Sequence, residues 1–168
     1  KTTASSASPN APLYSCKNFS LRLLYVCSSN TLNNFLCGNC CFTAATVAAV
    51  KQQFPHKKLL SVLELHTYSS LSEKFLQEYK GALSEADEAV VFYSRHALEL
   101  KQLPDLSKEK LKEGFDQPNL HVFNERQELE DWLNQQELEN AVVLFMSSGN
   151  YEGLDVEGWA KKRILSAE

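Results

Sequence analysis

Two stretches of this chain carry more polar chemistry than a connecting loop needs. The first, Glu64-Leu65-His66-Thr67-Tyr68-Ser69-Ser70-Leu71, sets a carboxylate and an imidazole beside a run of hydroxyls, a mixture suited to gripping a polar substrate. The second, Met146-Ser147-Ser148-Gly149-Asn150-Tyr151-Glu152-Gly153-Leu154-Asp155, combines the Ser147 and Ser148 hydroxyls, the Asn150 amide and the accessible backbone around Gly149 and Gly153. Such a lining suits a carboxylate or a phosphate. A third stretch, Tyr93-Ser94-Arg95-His96, offers a phosphate or carboxylate contact through Arg95 and His96. Each has a plainer reading. Ser69 or Ser70 can simply cap a following helix with His66 on the surface or in the core, residues 147–155 can be an ordinary strand-to-helix turn, and 93–96 a solvated loop.

None of these residues is expected to be catalytic. The serines, histidines and acids do not fall into a nucleophile, base and orienter order, and there is no Gly-x-Ser-x-Gly elbow. The glycine spacing after Met146 is neither a Walker A loop nor a dinucleotide fingerprint. Cys37-x-x-Cys40-Cys41 has half the spacing of a zinc knuckle, but Cys16 and Cys27 do not make the second half, so no metal site is expected.

The elements that must position these loops are legible as alternating patterns. Ala44 to Phe54 repeats Ala, Val and Phe at helical spacing and stops before Pro55. A strand follows over Lys58 to Leu65, then a helical pattern from Ser70 to Ala86 with Leu71, Phe75, Leu76, Tyr79 and Leu83 on one side. Ala89 to Tyr93 is a second strand, and Ser107 caps a helix reaching Phe115. Leu120 to Phe123 is a third strand, with Asn124 and Gln127 as a capping pair for a helix holding Leu129, Trp132 and Leu133. Ala141 to Met146 is the fourth, and Val156 to Leu165 the final helix. Short apolar runs separated by helices predict an α/β fold: a Rossmann-like, mostly parallel sheet with helices on both faces, in three layers. Ligands in such sheets bind beyond the carboxyl ends of the strands, where the polar loops fall.

Composition divides the chain. Residues 1–43 hold all five cysteines and three of the 17 basic residues but none of the 21 acids, leaving 14 basic and 21 acidic residues for the remainder. The organisation expected is an atypical Cys/Ser/Asn-rich segment over 1–43, disordered or foreign to the rest, with Leu21 to Cys27 as its one strand-like run, and a regular domain over 44–168. A net charge of −4 and scattered lysines point away from nucleic acid. No run is long and apolar enough for a membrane helix, and Pro9 and Pro12 interrupt the place of a signal sequence, so a cytoplasmic location is expected.

Several segments together resemble one family. Ala45-Thr46-Val47-Ala48-Ala49-Val50-Lys51-Gln52-Gln53-Phe54-Pro55, the Leu63 to Leu71 loop, Ala86-Asp87-Glu88-Ala89 and Met146-Ser147-Ser148-Gly149-Asn150 are similar, in order and spacing, to the C-terminal domain of the Mur ligases. The likeness leans to the peptidoglycan-recycling branch, the UDP-N-acetylmuramate:L-alanyl-γ-D-glutamyl-meso-diaminopimelate ligases. It implies a domain that closes over the site of a larger ATP- and magnesium-dependent enzyme, which joins a peptide amine to UDP-N-acetylmuramate through an acyl phosphate. The chain by itself is then expected to be a fragment limited to positioning the muropeptide (tripeptide), with His66, Thr67, Ser69, Ser70, Ser147, Ser148, Gly149 and Asn150 facing it. An independent, non-catalytic ligand-binding or interaction module is the alternative. The sequence departs from the family pattern at three places: Ser94-Arg95 where Asn-Pro precedes the His, Glu152 where a Gly is expected, and Cys40-Cys41-Phe42-Thr43 where an Asp-Phe-Ala-His-x-Pro loop contributes to the nucleotide site.

Overall fold

The computed structural model describes residues 13–14, 22–27, 38–117, 119–147 and 149–165, and the side chains of those between 41 and 163. Its strands are β1 (Leu13–Tyr14), β2 (Arg22–Cys27), β3 (Lys58–Leu65), β4 (Glu88–Tyr93), β5 (His121–Phe123) and β6 (Ala141–Ser147). Its helices are α1 (Gly38–Gln53), α2 (Glu73–Leu76), α3 (Arg95–Leu100), α4 (Lys108–Phe115), α5 (Arg126–Gln135) and α6 (Val156–Leu165). The six strands form one sheet in the order β1-β2-β6-β3-β4-β5. All neighbours are parallel except β1, which runs antiparallel to β2.

The alternation of side chains along the strands sorts the core into two layers. Leu59, Leu63 and Leu65 of β3 with Ala89, Val91 and Tyr93 of β4 pack on one face against Val47 and Val50 of α1, Leu98 of α3, and Leu111 and Phe115 of α4. Leu60 and Val62, Val90 and Phe92, and Val143 and Phe145 point the other way, against Leu129 and Leu133 of α5 and Val156, Trp159 and Ala160 of α6. Trp159 meets Phe145 edge-on at 5.7 Å and donates its indole N–H to Asn134 Oδ1 at 2.9 Å. Trp132 lies against His121 and Phe123 on this same side. The central strands are covered on both faces, which is why they read as continuous apolar runs, and the three-layer α/β expectation holds.

Three element expectations need correction. Helix α1 begins at Gly38, not Ala44: nothing in Cys40-Cys41-Phe42-Thr43 breaks the hydrogen-bond ladder, so the apolar repeat marks only its later part. The helix expected over Ser70 to Ala86 is instead a turn, the one-turn α2, a 3-10 turn at Gln77–Tyr79 and further turns. Leu71, Leu76, Tyr79 and Leu83 do share one buried face, but Gly81 at φ +71 leaves the helical region and its amide donates to Phe115 O at 3.0 Å, docking the turn on the end of α4. Asn124 does not cap α5; Glu125 stands at that position without a side-chain bond, while Asn124 Nδ2 donates to Tyr93 Oη at 3.4 Å. Ser107, by contrast, caps α4 as read, accepting from Lys110 N at 3.2 Å. The strand-like run at Leu21 to Cys27 supplies β2, paired from Arg22↔Val142 to Cys27↔Ser147.

The Ala86-Asp87-Glu88-Ala89 segment enters β4 through a charged latch. Asp87 accepts from Leu59 N at 2.6 Å and Lys51 Nζ at 2.5 Å, tying the end of α1 and the start of β3 to the start of β4. Burial pushes this carboxyl up, but the Leu59 amide and the Lys51 and Lys58 ammonium groups outweigh it, holding Asp87 below the ordinary carboxylate range. A carboxyl depressed by folding stabilises the native state above its unfolded value near 3.9, and that contribution is lost as pH falls through the folded value. Asp87 is partly exposed, so solvent screening limits the effect. Asp87→Asn is expected to lower stability by about 1 kcal/mol at pH 7 and to approach the parent as pH falls below the ordinary carboxylate range, in paired urea titrations.

On β3 the Ser61 hydroxyl is fully buried and makes no hydrogen bond with any described residue. Ser61→Ala removes a desolvated polar group at almost constant volume and is expected to raise stability by about 1 kcal/mol. A lowered denaturation midpoint would overturn that account.

Candidate functional site at the carboxyl edge of the sheet

Parallel pairing brings the ends of β3, β4, β5 and β6 to one rim of the sheet, at Leu65, Tyr93, Phe123 and Ser147. There the first and last polar loops are joined by the carboxylate that opens the first of them. Glu64, with its side chain 1% exposed at the end of β3, accepts from the Ser147 hydroxyl and, through the same oxygen, from Tyr151 N at 3.0 Å. Its other oxygen lies 3.7 Å from His66 Nδ1. Ser147 Oγ in turn accepts from Gly149 N at 2.7 Å. A buried carboxylate needs such donors to replace water, and here the donors come from the loop after β6.

The geometry of that loop follows from tight packing. A Cβ on Gly149 would stand 2.8 Å from Glu64 Oε2 and equally close to the Cγ and Nδ1 of His66. Tyr151 then turns into the core with φ 50, its ring buried between Phe92 and Phe145 and its hydroxyl proton shared between Val62 O at 3.0 Å and Met146 O at 2.9 Å. Glu152 follows at φ 53, where a residue without Cβ fits most easily. That is the position at which the Mur pattern has glycine.

Beside this assembly opens a cleft of about 740 Å³ whose lining includes Glu64, His66, Ser94, His96, Asn150 and Glu152. Lys101 and Arg126 also face it, and Lys101 Nζ sits 5.6 Å above the exposed Tyr68 ring. Of the residues picked out from sequence, His66, His96 and Asn150 are thus brought together, with Ser147 and Gly149 packed behind them on Glu64. Thr67, Ser69 and Ser70 bond chiefly to one another: Ser70 N donates to Thr67 Oγ1 at 3.1 Å and Ser70 Oγ to Thr67 O at 3.0 Å, closing the turn after β3. Arg95 is exposed outside the cleft lining, and Ser148 lies outside the described residues. The stretch 93–96 is no loop: Ser94 caps α3, accepting from Ala97 N at 3.0 Å.

Sequence reasoning noted Glu64 as the carboxylate of the first loop and Glu152 as a departure from the family pattern without making either a site residue, and it passed over Tyr151, Lys101 and Arg126. Glu64 had a signal, since an acid inside a buried strand must have partners. Arg126 had none, being one basic residue on a polar helix face.

Parallel strands with helices on both faces and a cleft beyond their carboxyl ends define a Rossmann-like α/β domain. Solved structures that share this fold include three ligases or ligase domains. One is a domain from a protein assigned as a UDP-N-acetylmuramate:L-alanyl-γ-D-glutamyl-meso-diaminopimelate ligase of Haemophilus ducreyi, with TM-score 0.52 and 16% identity over 89% of this chain and 93% of that one. A murein peptide ligase from Psychrobacter arcticus aligns with TM-score 0.57 and 13% identity, covering 88% of this chain and 27% of that one. The UDP-N-acetylmuramate-alanine ligase of Thermotoga maritima aligns with TM-score 0.57 and 16% identity over 92% and 29%. The fold is therefore that of Mur ligase domains, and the chain spans less than a third of the two longer enzymes. No protein-family model matches the sequence.

Among the described residues no group of three or more His, Cys, Asp and Glu side chains could hold a metal ion. Cys40 to Thr43, where the resemblance sets a nucleotide loop, are wound into α1. No described helix is long and apolar enough to cross a membrane.

Proposed function

We propose that residues 44–168, together with the start of α1 and the β2 strand that pairs with β6, form the peptide-side domain of an ATP-dependent Mur-type ligase of the peptidoglycan-recycling branch, acting in the bacterial cytoplasm. Its part is positioning: the cleft holds the incoming muropeptide so that its amine meets an activated UDP-N-acetylmuramate carboxyl prepared elsewhere in the full enzyme. ATP and magnesium belong to the portions of the enzyme that this chain does not span.

The observation that carries this reading is the Glu64 assembly. It fixes the loops after β3 and β6 against each other at a ligand-binding rim, in a fold that peptidoglycan ligases share. Rigid placement of polar groups without a nucleophile is what a positioning domain requires. Calorimetric titration with L-alanyl-γ-D-glutamyl-meso-diaminopimelate, without nucleotide, is expected to show saturable binding, with NMR shifts at His66, His96 and Asn150. No binding, or shifts confined to another surface, overturns the reading. Amide formation by this chain alone with ATP, magnesium, UDP-N-acetylmuramate and tripeptide would overturn its restriction to positioning.

One observation favours a second reading, a stand-alone peptide-binding module: α1 runs through the place of the nucleotide loop. Such a module would bind the tripeptide equally well with the rest of a ligase present or absent, whereas a ligase domain would gain affinity on joining it.

A further inference from the structure

We infer that Glu152 is a specificity-determining residue that receives a primary ammonium group of the ligand, and that Ser94 positions it. The inference rests on the cleft being the peptide site proposed above. Glu152 occupies a left-handed backbone position, φ 53 and ψ 37, that glycine would fill with less strain. A carboxylate kept there must be held, and it is: the Ser94 hydroxyl donates to Glu152 Oε1 across 58 residues of sequence.

Ser94 is well suited to that task. It is 4% exposed, and its oxygen already accepts from Ala97 N at the start of α3, so its one proton is left to point at Glu152. The two cleft positions that depart from the Mur pattern, Ser94 and Glu152, are thus the two that touch.

Only one Glu152 oxygen is used in this bond. Among the described residues no Lys, Arg or His forms an ion pair with Glu152, although Lys101 and Arg126 face the same cleft. A ligand that fills the cleft strips water from Glu152, and that cost is offset only by a cation with N–H donors. A ligand carrying carboxylates alone would suit Lys101 and Arg126 but would be repelled by Glu152. One carrying an ammonium alone would meet the reverse. The chemistry that satisfies all three is an amino acid or peptide bearing a free ammonium group as well as carboxylates.

The test is calorimetry with L-alanyl-γ-D-glutamyl-meso-diaminopimelate and two derivatives, each acetylated at one of its amines. The parent protein is expected to bind the free peptide at least tenfold more tightly than one of the two derivatives, which identifies the amine read. Glu152→Gln should bring that ratio to about one while leaving affinity for the acetylated peptide unchanged. Ser94→Ala should give an intermediate ratio, a change in selectivity that mere loosening of α3 would not produce. Circular dichroism of both variants checks that they fold. Equal affinities for all three peptides, or a ratio that survives Glu152→Gln, would sink the ammonium site while leaving the cleft as a peptide site. Failure of every peptide to bind the parent protein would remove the positioning reading and this inference with it.

Discussion

Glu64→Ala is expected to lower stability by about 3 kcal/mol, the largest effect of any single substitution at the rim. The change leaves the buried Ser147 hydroxyl and the Tyr151 amide without their acceptor and opens a cavity at the end of β3. Each orphaned donor costs about 1–3 kcal/mol, and hydrogen bonds to a charged acceptor lie at the upper end. A domain of this size has on the order of 5–15 kcal/mol in hand, so the variant should still fold. Glu64→Gln keeps the volume and one acceptor oxygen and is expected to cost about half as much. Urea denaturation gives the measurement, read as a shift of midpoint at unchanged slope. A loss below about 1 kcal/mol for the alanine variant would mean that the loops hold their places without this carboxylate.

Gly149→Ala should follow closely, at about 2 kcal/mol, with loss of tripeptide binding. The added methyl would stand 2.8 Å from Glu64 Oε2 and from two atoms of the His66 ring. His66 is partly exposed and can swing away, but Glu64 is fixed by Ser147 and Tyr151 and cannot. Something in the last loop must therefore shift. The two substitutions share one site and should not add: in the Glu64→Ala background the methyl has room, and the cost of Gly149→Ala should fall by at least about 1 kcal/mol. Full additivity would show that the glycine is required for another reason.

Much of this architecture could be read before the structure, because burial writes itself into residue type. Lys58 to Leu65 and Ala141 to Met146 are apolar on both sides, and only a strand covered on two faces uses such runs. The helix expected over Ser70 to Ala86 failed for an instructive reason. Its apolar residues do face the core at roughly helical intervals, and periodicity cannot distinguish a continuous helix from a succession of turns hung on the same face. The decisive event there is tertiary: the Gly81 amide reaches the carbonyl of Phe115, 34 residues on. The rim was legible in the same partial way. Polar loops at strand ends marked His66 and Asn150, and the Thr67 to Ser70 turn closes on itself locally, but that Ser94 would find Glu152 depends on a contact between elements 58 residues apart.

Both tryptophans, Trp132 and Trp159, lie on the side of the sheet covered by α5 and α6. The molecule is in consequence optically lopsided. Tryptophan emission, excited where tyrosine does not absorb, watches one helical layer and is blind to α1, α3 and α4, whereas far-ultraviolet dichroism sees both. Overlaying the two signals during denaturation asks, without any label, whether the two layers come apart as one unit; coincident curves mean a single cooperative body, and separated curves a layer that peels away first.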